Sequence, residues 1–158
     1  NRGNQDSGRR HKEIDGGIKK NSGILKLKKI VDKDGDGDMF IAEATKNIPF
    51  KIKRVFFINH PKIKKSIRGK HAHKKFNQAI FCVNGSFVLN LDDGRKKQSI
   101  LMKDPSVGII LGPELWHTMT DLSKNCNILV LADDFYHESD YLRDYDQFKK
   151  HITQKRVH

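Results

Sequence analysis

The chain has 158 residues and a formal net charge of +12, long enough for one domain with a proper core. Mean hydropathy is −0.68. No apolar run is long enough for a bilayer and no signal-peptide core appears near the start, which argues against a helical membrane protein. The motifs of nucleic-acid-binding modules are also missing.

Residues 1–22 are polar and Gly-rich, without apolar periodicity, and read as a disordered tail or a remnant of processing. The first residue is Asn1 rather than Met, as expected of a processed, tagged or excised chain. Residues 23–153 read as a single domain and 154–158 as a short tail. Short β-like runs follow one another: Ile24 to Val31, Met39 to Glu43, Lys51 to Ile58, Gln78 to Val83, Ser86 to Leu91, Gln98 to Met102, Val107 to Leu111, Trp116 to Thr120 and Asn127 to Ala132. Turn signals at Asn84-Gly85, Asp92-Asp93-Gly94, Asp104-Pro105-Ser106 and Gly112-Pro113 separate them. This rhythm predicts an all-β sandwich or barrel. Only the end changes period. Tyr141, Tyr145, Phe148 and Ile152 recur at helical spacing after Ser139 or Asp140 as N-cap, which predicts one C-terminal α-helix packed on the barrel. Cys82 and Cys126 lie in apolar runs and read as buried free thiols, the usage of a cytoplasmic protein.

Asp32, Asp34, Asp36, Gly37, Asp38 and Glu43 match the EF-hand calcium loop in spacing. The flanks disagree: Pro49 comes too soon for an exiting helix, and Ile24 to Val31 reads equally well as a strand. The segment is therefore expected to be an acidic hairpin turn, and calcium is not expected as a cofactor.

The run Arg68-Gly69-Lys70-His71-Ala72-His73 carries the chemistry. On a strand, residues two apart share a face, so His71 and His73 present two imidazoles together. A barrel would let His117 meet them. Convergent imidazoles serve either a metal or acid/base catalysis. Between Lys51 and Lys75 there are ten Lys or Arg and no Asp or Glu, so this site lies in a positive field suited to a phosphate or nucleotide ligand. A solvated basic surface is the plain alternative for any single lysine. His11, His60, His137, His151 and His158 read as surface or tail residues, with His60 near enough in sequence to approach the cleft.

Two blocks resemble the cupin motifs. His71, His73, Gln78 and Gly85 fit the first, with Gln78 in place of the usual glutamate. Gly108, Pro113 and His117 fit the second loosely. A neutral amide is a poor metal ligand, which weakens the case for a three-His metal centre. The segments Pro49 to Val55, Arg68 to Lys74, Gln78, Leu91-Asp92-Asp93-Gly94, Gly112-Pro113-x-x-Trp116-His117 and Asp140 to Phe148 together resemble one subgroup over about residues 24–151. This subgroup is the WxcM-like (FdtA-type) sugar 3,4-ketoisomerases. The resemblance implies a cupin-type double-stranded β-helix, a jelly-roll barrel. It also implies metal-independent chemistry on dTDP-4-keto-6-deoxyglucose for 3-amino-sugar synthesis, and a homodimer with exchanged N-terminal strands. Relatives are sometimes fused to an acetyltransferase. One departure concerns the strand after Lys53-Arg54-Val55: relatives carry a tyrosine where this chain has Phe56-Phe57, so either the missing hydroxyl weakens proton transfer or substrate anchoring, or another group such as Tyr136 or Tyr141 fills the place.

Moving a ketone from C4 to C3 requires removal of the C3 proton, an enediolate, and protonation at C4. His71 is expected to move the carbon-bound proton, and His73 to polarise the carbonyl or shuttle a proton between O3 and O4. Arg68 or His117 would donate to the enediolate oxygens. Arg54, Lys70 and Lys74 would neutralise the diphosphate, Trp116 would either stack on sugar or base or pack as a core tryptophan, Gln78 would orient a histidine, and Tyr141 would complete the binding set. The competing readings are a metal-dependent cupin enzyme, a nucleotide-sugar-binding cupin without turnover, and a 3,5-epimerase.

Overall fold

The computed structural model describes residue 18, residues 21–59, residue 62 and residues 65–157. The strands are β1 (Ser22–Lys26), β2 (Lys28–Ile30), β3 (Met39–Ile41), β4 (Arg54–Asn59), β5 (Arg68–His73), β6 (Gln78–Asn84), β7 (Phe87–Asp92), β8 (Lys97–Met102), β9 (Val107–Leu111), β10 (Trp116–Thr120), β11 (Asn127–Ala132) and β12 (Tyr141–Leu142). One α-helix, α1 (Tyr145–Gln154), follows them. The larger strands form two five-stranded sheets, ordered β1-β9-β6-β11-β4 and β12-β5-β10-β7-β8. Every pairing in them is antiparallel. This is the all-β architecture that the strand rhythm predicts and the jelly-roll barrel that the cupin resemblance implies.

Alternation along the strands decides what faces inward. Ile80 and Cys82 of β6, Leu89 and Leu91 of β7, Ile109 and Leu111 of β9, Met119 of β10, and Ile128 and Val130 of β11 share one buried cluster between the sheets. The opposite faces of β6 and β11 contribute Ala79, Phe81 and Leu131 to a second cluster, covered by Ile48, Phe50 and Ile52. The two cysteines are free and buried, as their apolar neighbours predict.

Four expectations need correction or refinement. Ile18, assigned by sequence to the tail, is buried in the main core, its N–H donates to Gln98 Oε1 at 3.1 Å, and Ser22 already belongs to β1; residues 1–17, 19 and 20 lie outside the described residues, as do His60 and His158. The run from Ile24 to Val31 is two strands: β1 joins the sheet beside β9, whereas β2 pairs with β3 in a separate hairpin. The acidic loop closes that hairpin, with Asp32 accepting from the N–H groups of Asp34 and Asp36; strands rather than EF-hand helices flank it. Finally, α1 begins after Tyr141, not before it. Asp144 is its N-cap and accepts from Gln147 N–H at 2.9 Å. Asp140 cannot serve as that cap because its carboxylate is turned inward. Tyr141 instead pairs with His73 in a two-residue strand. The helix buries Phe148 and Ile152 against Ala72 and Leu142, with Trp116 packed on the same cluster.

Candidate active site

β5 and β10 bring the histidines together. Their register sets His117 against His71, then shifts, so that Thr118 faces Gly69 and Lys70 is left out of the pairing. The bulge needs two residues with positive φ: Gly69 at 86° and Lys70 at 57°. A side chain on Gly69 would also meet the His117 carbonyl oxygen at 2.9 Å, so glycine is required both by the backbone and by the closeness of β10. The result is a compact imidazole group. Ring centres lie 5.0 Å apart for His71 and His73, and 4.5 Å for His71 and His117.

Each imidazole is held through Nδ1. His71 Nδ1 donates to the Gly69 carbonyl at 3.1 Å, and His117 Nδ1 to the Leu115 carbonyl at 3.2 Å. His73 Nδ1 lies 3.1 Å from Asp140 Oδ2. Asp140 is buried and also accepts from Lys75 N–H at 2.9 Å and Phe76 N–H at 3.4 Å. An oxygen of a carbonyl can only accept, so the neutral rings of His71 and His117 carry their proton on Nδ1 and leave Nε2 as an acceptor. His73 is 1% exposed, and its Nε2 is buried with no hydrogen-bond partner.

Electrostatics keep these rings neutral. Burial lowers the pKa of all three histidines; it takes His73 to about 3, assisted by His71, Arg54 and Arg143. The Gln78 amide, buried beside His73, pulls weakly the other way. Burial raises the pKa of Asp140, against the two backbone N–H groups that stabilise its anion.

The other expected residues divide. Tyr141 belongs to the site, its ring 5.0 Å from His71 and 4.6 Å from His73. Arg54 shares an inward-facing row with Ala132 and Gln78 by register. Its guanidinium lies over Phe56, Phe76 and Tyr136, with Nε and Nη2 buried and unpartnered. Phe76 in turn stacks on His73 at 5.6 Å. Arg68 and Lys70 are exposed on β5, and Lys74 is half-buried just past His73. Trp116 is not in the site. It is adjacent to His117 on a strand and therefore points to the opposite face, where it contacts Tyr145 and Phe148 at 5.3 and 5.7 Å. Phe56 packs against the core and Phe57 is exposed, so Tyr141, with Tyr136 5.5 Å behind it, supplies the phenol nearest the histidines.

Sequence reasoning missed Asp140 as a site residue, and missed the pair Glu138 and Arg143. Arg143 donates to Glu138 at 2.6 and 2.9 Å and lies over the Tyr141 ring at 4.2 Å. Its hydrogen bonds, with that of the Tyr136 hydroxyl, hold the Glu138 carboxyl down at about 2. Both residues flank Tyr141, so a reading of Tyr141–Leu142 as strand rather than helix would have pointed to them.

A ring nitrogen from each of His71, His73 and His117 lies within 4.8 Å of the others, which is compatible with holding a metal ion. The fourth cupin position is the neutral Gln78, which would add no anionic ligand.

A jelly-roll barrel with convergent imidazoles in its interior defines a cupin-type catalytic domain. The family model described as FdtA, WxcM-like, C-terminal matches residues 20–153. TDP-4-oxo-6-deoxy-alpha-D-glucose-3,4-oxoisomerase of Aneurinibacillus thermoaerophilus is 47% identical over 130 residues, covering 82% of this chain and 91% of that protein. QdtA, a sugar 3,4-ketoisomerase from Thermoanaerobacterium thermosaccharolyticum solved with TDP, superposes with a TM-score of 0.82 at 38% identity, covering 87% of this chain and 98% of its own. A 3,4-ketoisomerase from Helicobacter canadensis gives 0.79 at 37% identity, covering 84% and 97%. The chain belongs to the WxcM-like family and is a sugar 3,4-ketoisomerase. ChmJ, a 3'-monoepimerase from Streptomyces bikiniensis, is 13% identical with a TM-score of 0.65, which shows the shared fold alone.

Proposed function

We propose that this chain converts dTDP-4-keto-6-deoxyglucose to a dTDP-3-keto-6-deoxyhexose, without a metal, for deoxy-amino-sugar synthesis. The observation that carries the reading is the set of neutral imidazoles with Nδ1 tied back, which offers proton acceptors beside a cationic approach. His71 takes the C3 proton, next to the carbonyl. The electron pair moves into the C3–C4 bond and onto O4. His73 Nε2 then accepts the O3 proton and delivers it to O4, while the carbon-bound proton returns at C4 as O3 becomes the ketone. Arg54 and His117 stabilise charge on the oxygens. Arg68, Lys70 and Lys74 add a positive field that favours the diphosphate, and Tyr141 walls the sugar. Gln78 supports the metal-free reading, because a cupin metal centre would gain from an anion there.

We also propose a cytoplasmic homodimer with exchanged N-terminal strands. Two free thiols suit a reducing compartment, and no helix among the described residues is long and apolar enough to cross a membrane. In the single chain β1 docks on its own β9 at the sheet edge, a register that a partner's β1 could occupy unchanged. At the other edge β4 exposes Val55 at 57% and Phe57 at 69%, an apolar strip that a second copy would cover. Sedimentation velocity should give a dimer mass; a monomer at micromolar concentration would end that proposal.

Proton NMR of dTDP-4-keto-6-deoxyglucose in D2O with EDTA-treated protein tests the reaction. The expected result is the 3-keto isomer with deuterium at C4, and the C4 coupling gives its configuration. Binding without conversion would instead mark a nucleotide-sugar-binding module, and turnover only after metal addition a metal-dependent enzyme.

A further inference from the structure

We propose that Asp140 is a positioning residue for catalysis: it fixes His73 with its proton on Nδ1, so that Nε2 can accept a proton from the substrate, and it stabilises the imidazolium that results. The proposal rests on the ketoisomerase reading above and assigns a role to a residue that the sequence offers only as a helix cap and as the start of the Asp140 to Phe148 segment. Three observations support it. Asp140 lies only 3.1 Å from His73 Nδ1, at a position sixty-seven residues away in the chain. Its orientation is fixed independently of the histidine, since Oδ1 is held by Lys75 N–H and Oδ2 by Phe76 N–H. And His73 Nε2, opposite the carboxylate, is buried and unpartnered.

An unpaired buried ring nitrogen is unfavourable in the empty protein and becomes useful when a hydroxyl reaches it. A carboxylate behind an imidazole makes the ring a donor at the near nitrogen and an acceptor at the far one, and the same carboxylate offsets the positive charge formed on proton transfer. His71 and His117 have only a backbone carbonyl in that position. A carbonyl fixes the tautomer but brings no full charge. Among the three rings, His73 alone has a carboxylate in contact with its Nδ1, which suits the one that must hold a proton between O3 and O4. The balance is simple: the O3–H bond breaks, Nε2–H forms, and the proton then passes to O4 as the enediolate becomes the new ketone.

Asp140→Asn tests this. Its amide oxygen can keep the bond to Lys75 N–H while its NH2, giving up the bond from Phe76 N–H, faces His73 Nδ1, which then must accept, moving the ring proton to Nε2. Conversion to the 3-keto isomer should fall by about 100-fold or more. TDP affinity and KM should stay within about twofold, because the substrate contacts remain. Deuterium exchange at C3, which needs His71 and not His73, should persist. Nitrogen-15 NMR of the wild-type protein gives a test independent of any variant: His73 should carry its proton on Nδ1, and in Asp140→Asn on Nε2. A wild-type His73 protonated on Nε2, or an Asp140→Asn enzyme that isomerises within threefold of wild type, would overturn the proposal. Failure of the wild-type protein to isomerise would refute the ketoisomerase reading, a separate outcome.

Discussion

His71, His73 and His117 hold Nδ1 against an oxygen, and burial lowers all three pKa values from 6.5. Acceptance of a proton at Nε2 requires the neutral ring, so kcat/KM should stay level as pH falls through 6.5 and decline only below it. A rate profile across that range checks the sign; an acid limb centred at or above 6.5 would mean that the rings are less buried in solution. The same three acceptors predict inhibition by added zinc, which would capture them together, whereas EDTA should leave turnover unchanged. Arg54 makes a further prediction. Its buried, unpartnered Nε and Nη2 face no carboxylate among the described residues, so Arg54→Met should lower turnover by at least about tenfold, with the folded state intact, as an unpaired buried cation is itself unfavourable. Steady-state kinetics beside a thermal melt separate the two effects.

The bulge in β5 and the two-residue β12, which sets Tyr141 beside His73, fix the geometry of these residues. The bulge at Gly69 and Lys70 aligns His71 with His117. Gly69→Ala places Cβ against the His117 carbonyl oxygen and adds a left-handed backbone cost of about 1–2 kcal/mol; both activity and melting temperature should drop. Asp144→Ala removes only the cap of α1, with an expected loss of about 1 kcal/mol in a urea melt and unchanged kcat. Elements long enough to show alternation were legible in the sequence: β9, β10 and β11 have the expected bounds. β12 was not, because two residues carry no period and Tyr141 also fits the helical spacing of Tyr145, Phe148 and Ile152. The histidine pair was legible from i, i+2 spacing. Asp140 was not, since its partner is remote in sequence and only the folded chain reveals that its carboxylate turns inward. The placement of Trp116 was available in principle: if His117 faces the barrel interior, its neighbour on the strand cannot.

The molecule as a whole keeps three imidazoles inside an apolar barrel, and its stability should record this. In the unfolded chain they take up protons below 6.5, while in the fold they remain neutral to lower pH. The unfolded state therefore binds more protons in the interval below 6.5. Stability is full above 6.5 and declines as pH falls from there towards about 3, the value for His73. Urea melts on either side of 6.5 should show the loss, and His73→Asn should flatten the dependence; an unchanged slope would remove His73 as a source.

Trp116 is the only tryptophan in the chain, and it sits where α1 meets the barrel, against Tyr145 and Phe148. Its intrinsic fluorescence is thus a natural probe of helix docking, not of ligand occupancy. Undocking of α1 should shift its emission to the red, while a nucleotide sugar entering the other side of β10 reaches the indole only through the strand they share.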